Sequence, residues 1–274
     1  MPIPAPTFER RTAIDRRSSE PHPITEDLAE AITRDKIELL FQPQWRSDDG
    51  ALVGAEALIR WNHPEHGALA GDALFAIAQS GGLARRLSRH VTRAALDAAR
   101  LWPAELRLSV NVTAMDLFDR TFAEGLLEMI DDSGFPPARL TLEITEQALV
   151  ADLDRSATRL KILANAGLHI ALDDFGAGFC NFRYLKLLPL HSLKLDRSMI
   201  EGVAEDARDL AVLRGILAMA KALDLQVIAE GVETPAQRDV AVREGCHVWQ
   251  GFLGGKPVPV ADFAHAGSAF RFEA

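Results

Sequence analysis

Seven short apolar runs of this chain carry or end in an acid, an amide or a lysine. They place Glu56 in GAEALIRW, Asn111 in SVNVT, Glu143 in LEITE, Asp173 and Asp174 in ALDD, Lys194 and Asp196 in LKLD, Glu230 in VIAEG and Gln250 in VWQG. Carboxylate and amide oxygens are the ligands that hard divalent cations prefer, and no cluster of thiolates or imidazoles offers a site to zinc or copper. Asp173 and Asp174 sharpen the point, because adjacent like charges repel and a regular strand sends neighbouring side chains to opposite faces. Gly176 and Gly178 in ALDDFGAGF permit a sharp turn beside them, and bound dications would remove the repulsion.

A single acid at a strand end is usually a solvated side chain or a helix cap. Glu56 and Glu143 fit that account poorly, since apolar neighbours on both sides put them within strands. Asn111 has an alternative as the cap of a helix starting near Thr113, and Lys194 as a side chain snorkelling from a core-facing strand. Seven runs doing the same thing need a common cause. The histidines do not compete: His63 and His66 read as loop residues in NHPEHG, and His169 and His247 open strands at the far rim.

The elements that must position these residues alternate along the chain. IELLFQPQ, LVGAEALIRW, LRLSVNV, LTLEIT, LHIALDD, SLKLD, LQVIAEG and HVWQGF read as strands. Helical spacing runs through Asp72 to Ser80, Leu83 to Leu101, Arg120 to Asp131, Asp152 to Ala166, Asp206 to Leu223 and Pro235 to Glu244. Asp152 or Asp154, Thr234-Pro235, Gly167 and Gly245 supply helix starts and stops. About eight strands alternating with helices in one block predict a parallel α/β barrel, a TIM-like (β/α)8 fold. The competitor is an open doubly wound sheet, but no Gly-x-Gly-x-x-Gly follows an early strand. In a barrel the carboxyl ends of the strands share a rim, so residues a hundred positions apart would converge there.

The 274 residues are 48% hydrophobic and 25% charged, a globular composition with a formal charge of -9. That balance argues against a surface collecting DNA or RNA, yet a bound cation can reverse the local sign and admit a phosphate. No run is apolar enough for a membrane helix. The first 23 or so residues, proline-rich and aperiodic, read as a flexible leader or linker, with one domain from 24 to 274. They lack a secretory signal, and two cysteines are too few for a disulfide framework, which points to the cytoplasm.

The ordered set EALIRWNHPEHG, NVT, LEITE, DDFGAG, YLKLLPLHSLKLDRS, IAEGVET and QGFLGGKP resembles the EAL domain, a phosphodiesterase barrel acting on cyclic di-GMP and named for the tripeptide Glu56-Ala57-Leu58. The likeness runs from about Ile37 to Pro257. It implies that Glu56, Asn111, Glu143 and Asp173 ligate one Mg²⁺ or Mn²⁺. Asp173 would bridge to a second ion that Asp174 helps to hold. The same resemblance makes Glu230 the water-activating base or metal-water partner, Lys194 the residue that fixes the attacking water, and Gln250 part of that network. It assigns Gln42, Arg60, Asp196 and Glu233 to substrate, and Glu146 to anchoring the loop after the Asp pair.

Through that loop the resemblance implies a homodimer, and a fused or partner sensor domain is compatible with it. The family's usual threonine is Ala177 here, and two serines are replaced by Cys180 and Asn181, so loop stability or dimer coupling should change before chemistry does. Two rivals stand beside the enzyme: a receptor that binds cyclic di-GMP without cutting it, and a hydrolase of another phosphodiester.

Overall fold

The apolar runs form strands where the sequence places them. In the computed structural model, which describes residues 23–149, 152–178 and 182–266, ten strands make one sheet. They are β1 (Glu38–Arg46), β2 (Leu52–His63), β3 (Gly67–Ala70), β4 (Arg107–Val112), β5 (Leu140–Thr145), β6 (His169–Phe175), β7 (Ser192–Leu195), β8 (Gln226–Ala229), β9 (Val248–Gln250) and β10 (Val258–Pro259). The order β10-β1-β9-β8-β7-β6-β5-β4-β2-β3, with β1 also paired to β2, closes eight of them into a barrel and leaves β3 and β10 outside. The six long helical stretches form helices outside it.

The TIM-like barrel is as expected, but one strand corrects the expectation of a wholly parallel sheet. β2 and β4 through β9 are parallel, but β1 runs antiparallel to both β2 and β9. The cause is the connection. Only residues 47–51 separate β1 from β2, enough for a hairpin, whereas a parallel return needs about a dozen residues or more. Gly50 takes φ 66° in that turn, and Asp49 accepts a hydrogen bond from the Ala51 amide at 3.0 Å.

Helix ends follow their sequence signals. Asp152 caps the helix Leu153–Asn165 by accepting from Arg155 N. Thr234 and Gln237 form a reciprocal capping box before Pro235–Glu244, which Gly245 stops at φ 105°. Most buried apolar side chains belong to one core around the barrel. A second, separate core holds Leu28 and Ile32 of the helix Pro23–Thr33 against Ile59 and Trp61 of β2, Leu74 and Leu87.

His63 is a second correction. It closes β2 rather than lying in a loop, 7% exposed, with Nε2 3.2 Å from Asp27 Oδ2. Its Nδ1 accepts the amides of Glu65 and His66, so the ring braces the β2–β3 turn against the amino-terminal helix. The leader and residues 179–181, which include Cys180 and Asn181, lie outside the described residues.

Candidate active site

Strand register brings the polar residues to one level. Glu56 on β2 lies opposite Ser109 of β4, Asn111 two residues on is level with Glu143 of β5, and Thr145 is level with Asp173 of β6. Side chains alternate along a strand, so these positions share the interior face near its carboxyl end. Lys194 enters from β7, Glu230 follows β8, and Gln250 ends β9.

Lys194 sits at the centre and is 1% exposed, so it does not snorkel. Its Nζ lies 2.5 Å from Glu143 Oε2, 2.8 Å from Glu230 Oε1, 3.1 Å from Asp173 Oδ1 and 3.4 Å from Glu56 Oε2. Burial works against the ammonium, but these four carboxylates hold its pKa well above the ordinary lysine value. Burial raises the carboxyl groups in turn. Glu143 is pushed well above its usual range by burial and by Glu56, against the pull of Lys194. Glu230 is pushed up to about 8 by burial, again with Lys194 opposing. Glu56 moves the other way: burial is outweighed by the Lys194 charge and by hydrogen bonds from Gln250 and Asn111.

Those two amides hold Glu56 from both sides. Asn111 Nδ2 donates to Oε1 at 2.8 Å, which leaves the Asn111 carbonyl oxygen for a ligand, and Gln250 Nε2 donates to Oε2 at 2.8 Å. Gln250 Nε2 also donates to Gln42 Oε1 at 3.0 Å.

The Asp pair is parted by a local break in the strand. Register shifts between Leu172 and Phe175 along β6–β7, Asp174 takes φ 55°, and Gly176 follows at φ 102°. Asp173 is thereby buried and Asp174 exposed. Asp173 Oδ1 accepts the Asp174 amide at 3.0 Å. Partial desolvation by the cleft around it, then the charge of Asp173, raises Asp174 to about 6.

The donor set fits divalent cations. Ligand oxygens of Glu56, Glu143 and Asp173 lie within 4.8 Å of one another, as do those of Asp173, Asp174 and Glu230, so Asp173 belongs to both groups. Glu143 Oε1 is buried with no hydrogen-bond partner among the described residues, a costly arrangement unless a cation meets it. Five carboxylates face one ammonium, an excess of four negative charges when all are ionised. Two dications would neutralise it.

The acid cluster separates two lobes of an open cavity. One, about 300 Å³, is walled by Gln42, Asp196, Arg197, Glu233, Gln250 and Phe252; the other, about 670 Å³, by Asp72, Phe75, Asn111, Thr113 and Gln147, among others. Asp196 and Glu233 line the first lobe while holding structural partners: Asp196 caps Ser198 N at 3.0 Å, and Glu233 pairs with Arg197 at 2.9 Å. Arg60 shares the Glu56 face of β2 four residues further on, but it is exposed and lines neither lobe of the cavity. Glu146 opens the helix Glu146–Leu149 just after β5, and part of the loop assigned to it lies beyond the described residues. Sequence reading missed Gln44, a buried partner of Gln250; its signal was the two-residue spacing from Gln42, which puts both on one face.

The model of the EAL domain matches residues 25–257. The chain belongs to the EAL domain family. This EAL domain is 34% identical over 252 residues to the bifunctional diguanylate cyclase/cyclic di-GMP phosphodiesterase MucR of Pseudomonas aeruginosa, covering 90% of this chain and 37% of that one. It is 35% identical to the cyclic di-GMP phosphodiesterase NbdA of the same organism, covering 97% of this chain and 34% of the relative. It thus spans little more than a third of either curated relative. The solved PaMucR phosphodiesterase in complex with c-di-GMP superposes with a TM-score of 0.81 at 35% identity, covering 87% of this chain and 98% of that one. Among the described residues no helix is long and apolar enough to cross a membrane.

Proposed function

We propose that this EAL domain, as the unit 24–274, hydrolyses cyclic di-GMP to linear pGpG with two divalent cations, Mg²⁺ or Mn²⁺. The observation that carries the reading is Asp173 shared between two carboxylate groups around the Lys194 ammonium. The activities named for MucR, NbdA and the PaMucR complex support the substrate. The two cavity lobes meeting at the acids suit a ligand with two similar halves joined by phosphates.

In this proposal Glu56, Asn111, Glu143 and Asp173 would hold one cation, and Asp173, Asp174 and Glu230 would hold the other. When bound, two such ions supply Lewis acidity, neutralising phosphoryl charge and making water a better nucleophile. The chain's own residues do the rest. Glu230, with Oε1 2.8 Å from Lys194 Nζ, serves as the base that takes the proton of the attacking water or as the partner of a metal-bound water. Lys194 fixes that water and stabilises charge from a site shielded from solvent. Arg60 binds phosphate, while Gln42, Gln250, Asp196 and Glu233 orient the substrate for in-line attack. A homodimer, a cytoplasmic location and control by a fused or partner sensor domain belong to the same proposal; the greater length of both curated relatives supports the last.

The test is incubation of purified protein with cyclic di-GMP and Mg²⁺ or Mn²⁺, with EDTA as control and chromatography of products. Metal-dependent pGpG is the expected result. Binding without cleavage would make the domain a receptor, and neither would point to another phosphodiester.

A further inference from the structure

Gln250 gives its amide nitrogen to Glu56 and Gln42 together, and an amide can be turned end for end. Turned the other way, its oxygen would face the Glu56 carboxylate and the Gln42 carbonyl, three acceptors with no proton among them. The Glu56 carboxylate itself disfavours that orientation, and a donor on the other side of the amide would hold the productive one more firmly. Gln44 is placed to do so. It lies directly across from Gln250 in the β1–β9 pairing, as Gln42 lies across from Glu56 in β1–β2. Its Nε2 donates to Gln250 Oε1 at 3.0 Å, and the two side chains are 5% and 3% exposed. Among the described residues, Gln44 is the side chain that donates to the Gln250 oxygen.

We propose that Gln44 is a positioning residue, which locks the Gln250 amide so that one NH₂ group orients Glu56 toward the cations and Gln42 toward the substrate. The inference rests on the proposed reading of the site and adds to it a relay from β1 through β9 to β2. Partners one step removed from a ligand typically govern metal affinity by about 10- to 100-fold.

Replacing Gln44 separates orientation from charge. At pH 8, Gln44→Glu puts an acceptor against the Gln250 oxygen and removes the preference for its productive orientation, so Mn²⁺ affinity measured by calorimetry should fall about 10-fold or more. An added carboxylate acting by charge alone would tighten cation binding instead. Gln44→Met removes the donor without adding an acceptor and should cost roughly 3-fold, with KM for cyclic di-GMP rising while kcat holds. In a Gln250→Leu background, Gln44→Glu should change Mn²⁺ affinity no further. Unchanged or tighter Mn²⁺ binding in Gln44→Glu, or an equal loss with and without Gln250, overturns the proposal. Should Gln44→Glu fail to fold, Gln44→Met decides, and wild-type Mn²⁺ affinity there refutes the relay. A wild-type protein that binds no Mn²⁺ would instead bring down the reading of the site itself.

Discussion

Lys194 Nζ and Glu143 Oε2 stand 2.5 Å apart with 1% and 0% of their side chains exposed, an ion pair wholly inside the barrel. Removing one partner of a buried pair typically costs about 3–5 kcal/mol, because the other is left as an uncompensated charge. Lys194→Met should therefore melt well below wild type in EDTA. Added Mn²⁺ should narrow that gap, since cations meet the same carboxylates, while cleavage stays down by roughly 10² to 10³. Thermal unfolding with and without metal checks both halves; an equal gap in the two conditions would deny a common role to lysine and cation.

Asp173 contributes to both carboxylate groups and Asp174 to one. Asp173→Ala should abolish tight binding of both cations, and Asp174→Ala should leave a single tight site. Calorimetric stoichiometry separates them. Glu56→Ala and Glu230→Ala should each abolish turnover, with Glu56→Ala also weakening metal binding. Two retained ions in Asp173→Ala, or wild-type turnover in either glutamate variant, would contradict the roles given above.

Gly251 follows Gln250 at a place where no side chain fits. A Cβ there would stand 2.1 Å from the Val232 carbonyl oxygen and 2.3 Å from its amide nitrogen. Val232 N also donates to Gln250 O at 3.1 Å, so the clash falls on the backbone that carries Gln250. Gly251→Ala should destabilise by about 3 kcal/mol or more, with Mn²⁺ affinity reduced in whatever fraction still folds. Denaturant melts and calorimetry test it, and a loss below about 1 kcal/mol would mean the segment yields freely.

The far rim should make the fold acid-sensitive. The rings of His169 and His191 lie tilted with centroids 4.5 Å apart, and burial, then Arg107, depresses both, His169 to about 4. His191 Nδ1 accepts the Ile170 amide at 3.2 Å, a bond available only to the unprotonated nitrogen. Because the folded pKa of His169 lies below its ordinary 6.5, the unfolded chain takes the proton first. Stability from this source is whole above pH 6.5 and lost as pH falls toward 4. Replacing both rings by Gln should flatten that part of the urea-stability profile; an unaltered slope would place the acid sensitivity elsewhere.

Much of this site was legible because its residues break local rules. Glu56 and Glu143 interrupt apolar strands, and Asp173-Asp174 sets like charges together, so each asks for a partner beyond its neighbours. The direction of β1 was also written in the chain, in the five residues of 47–51 that admit only a hairpin, but a strand's apolar pattern reads alike in either direction. Gln44 escaped notice because a glutamine among apolar residues violates nothing by itself; its role exists only once β9 lies across from it. Asp196 and Glu233 show the converse limit: they wall the cavity, yet each already has a cap or an ion pair that no motif reveals.

The reversed β1 also settles where the polypeptide enters the barrel. Glu38, its first residue, pairs with Arg60 at the catalytic end of β2, and the helix Pro23–Thr33 lies against the helix Gly71–Ser80, whose Asp72 and Phe75 wall the larger lobe. Had β1 run with its neighbours, this helix would have led in from underneath, beside His169 and His191. Instead, a tag or reporter attached through residue 23 is delivered on the side from which ligand approaches, where its bulk bears on access to the mouth.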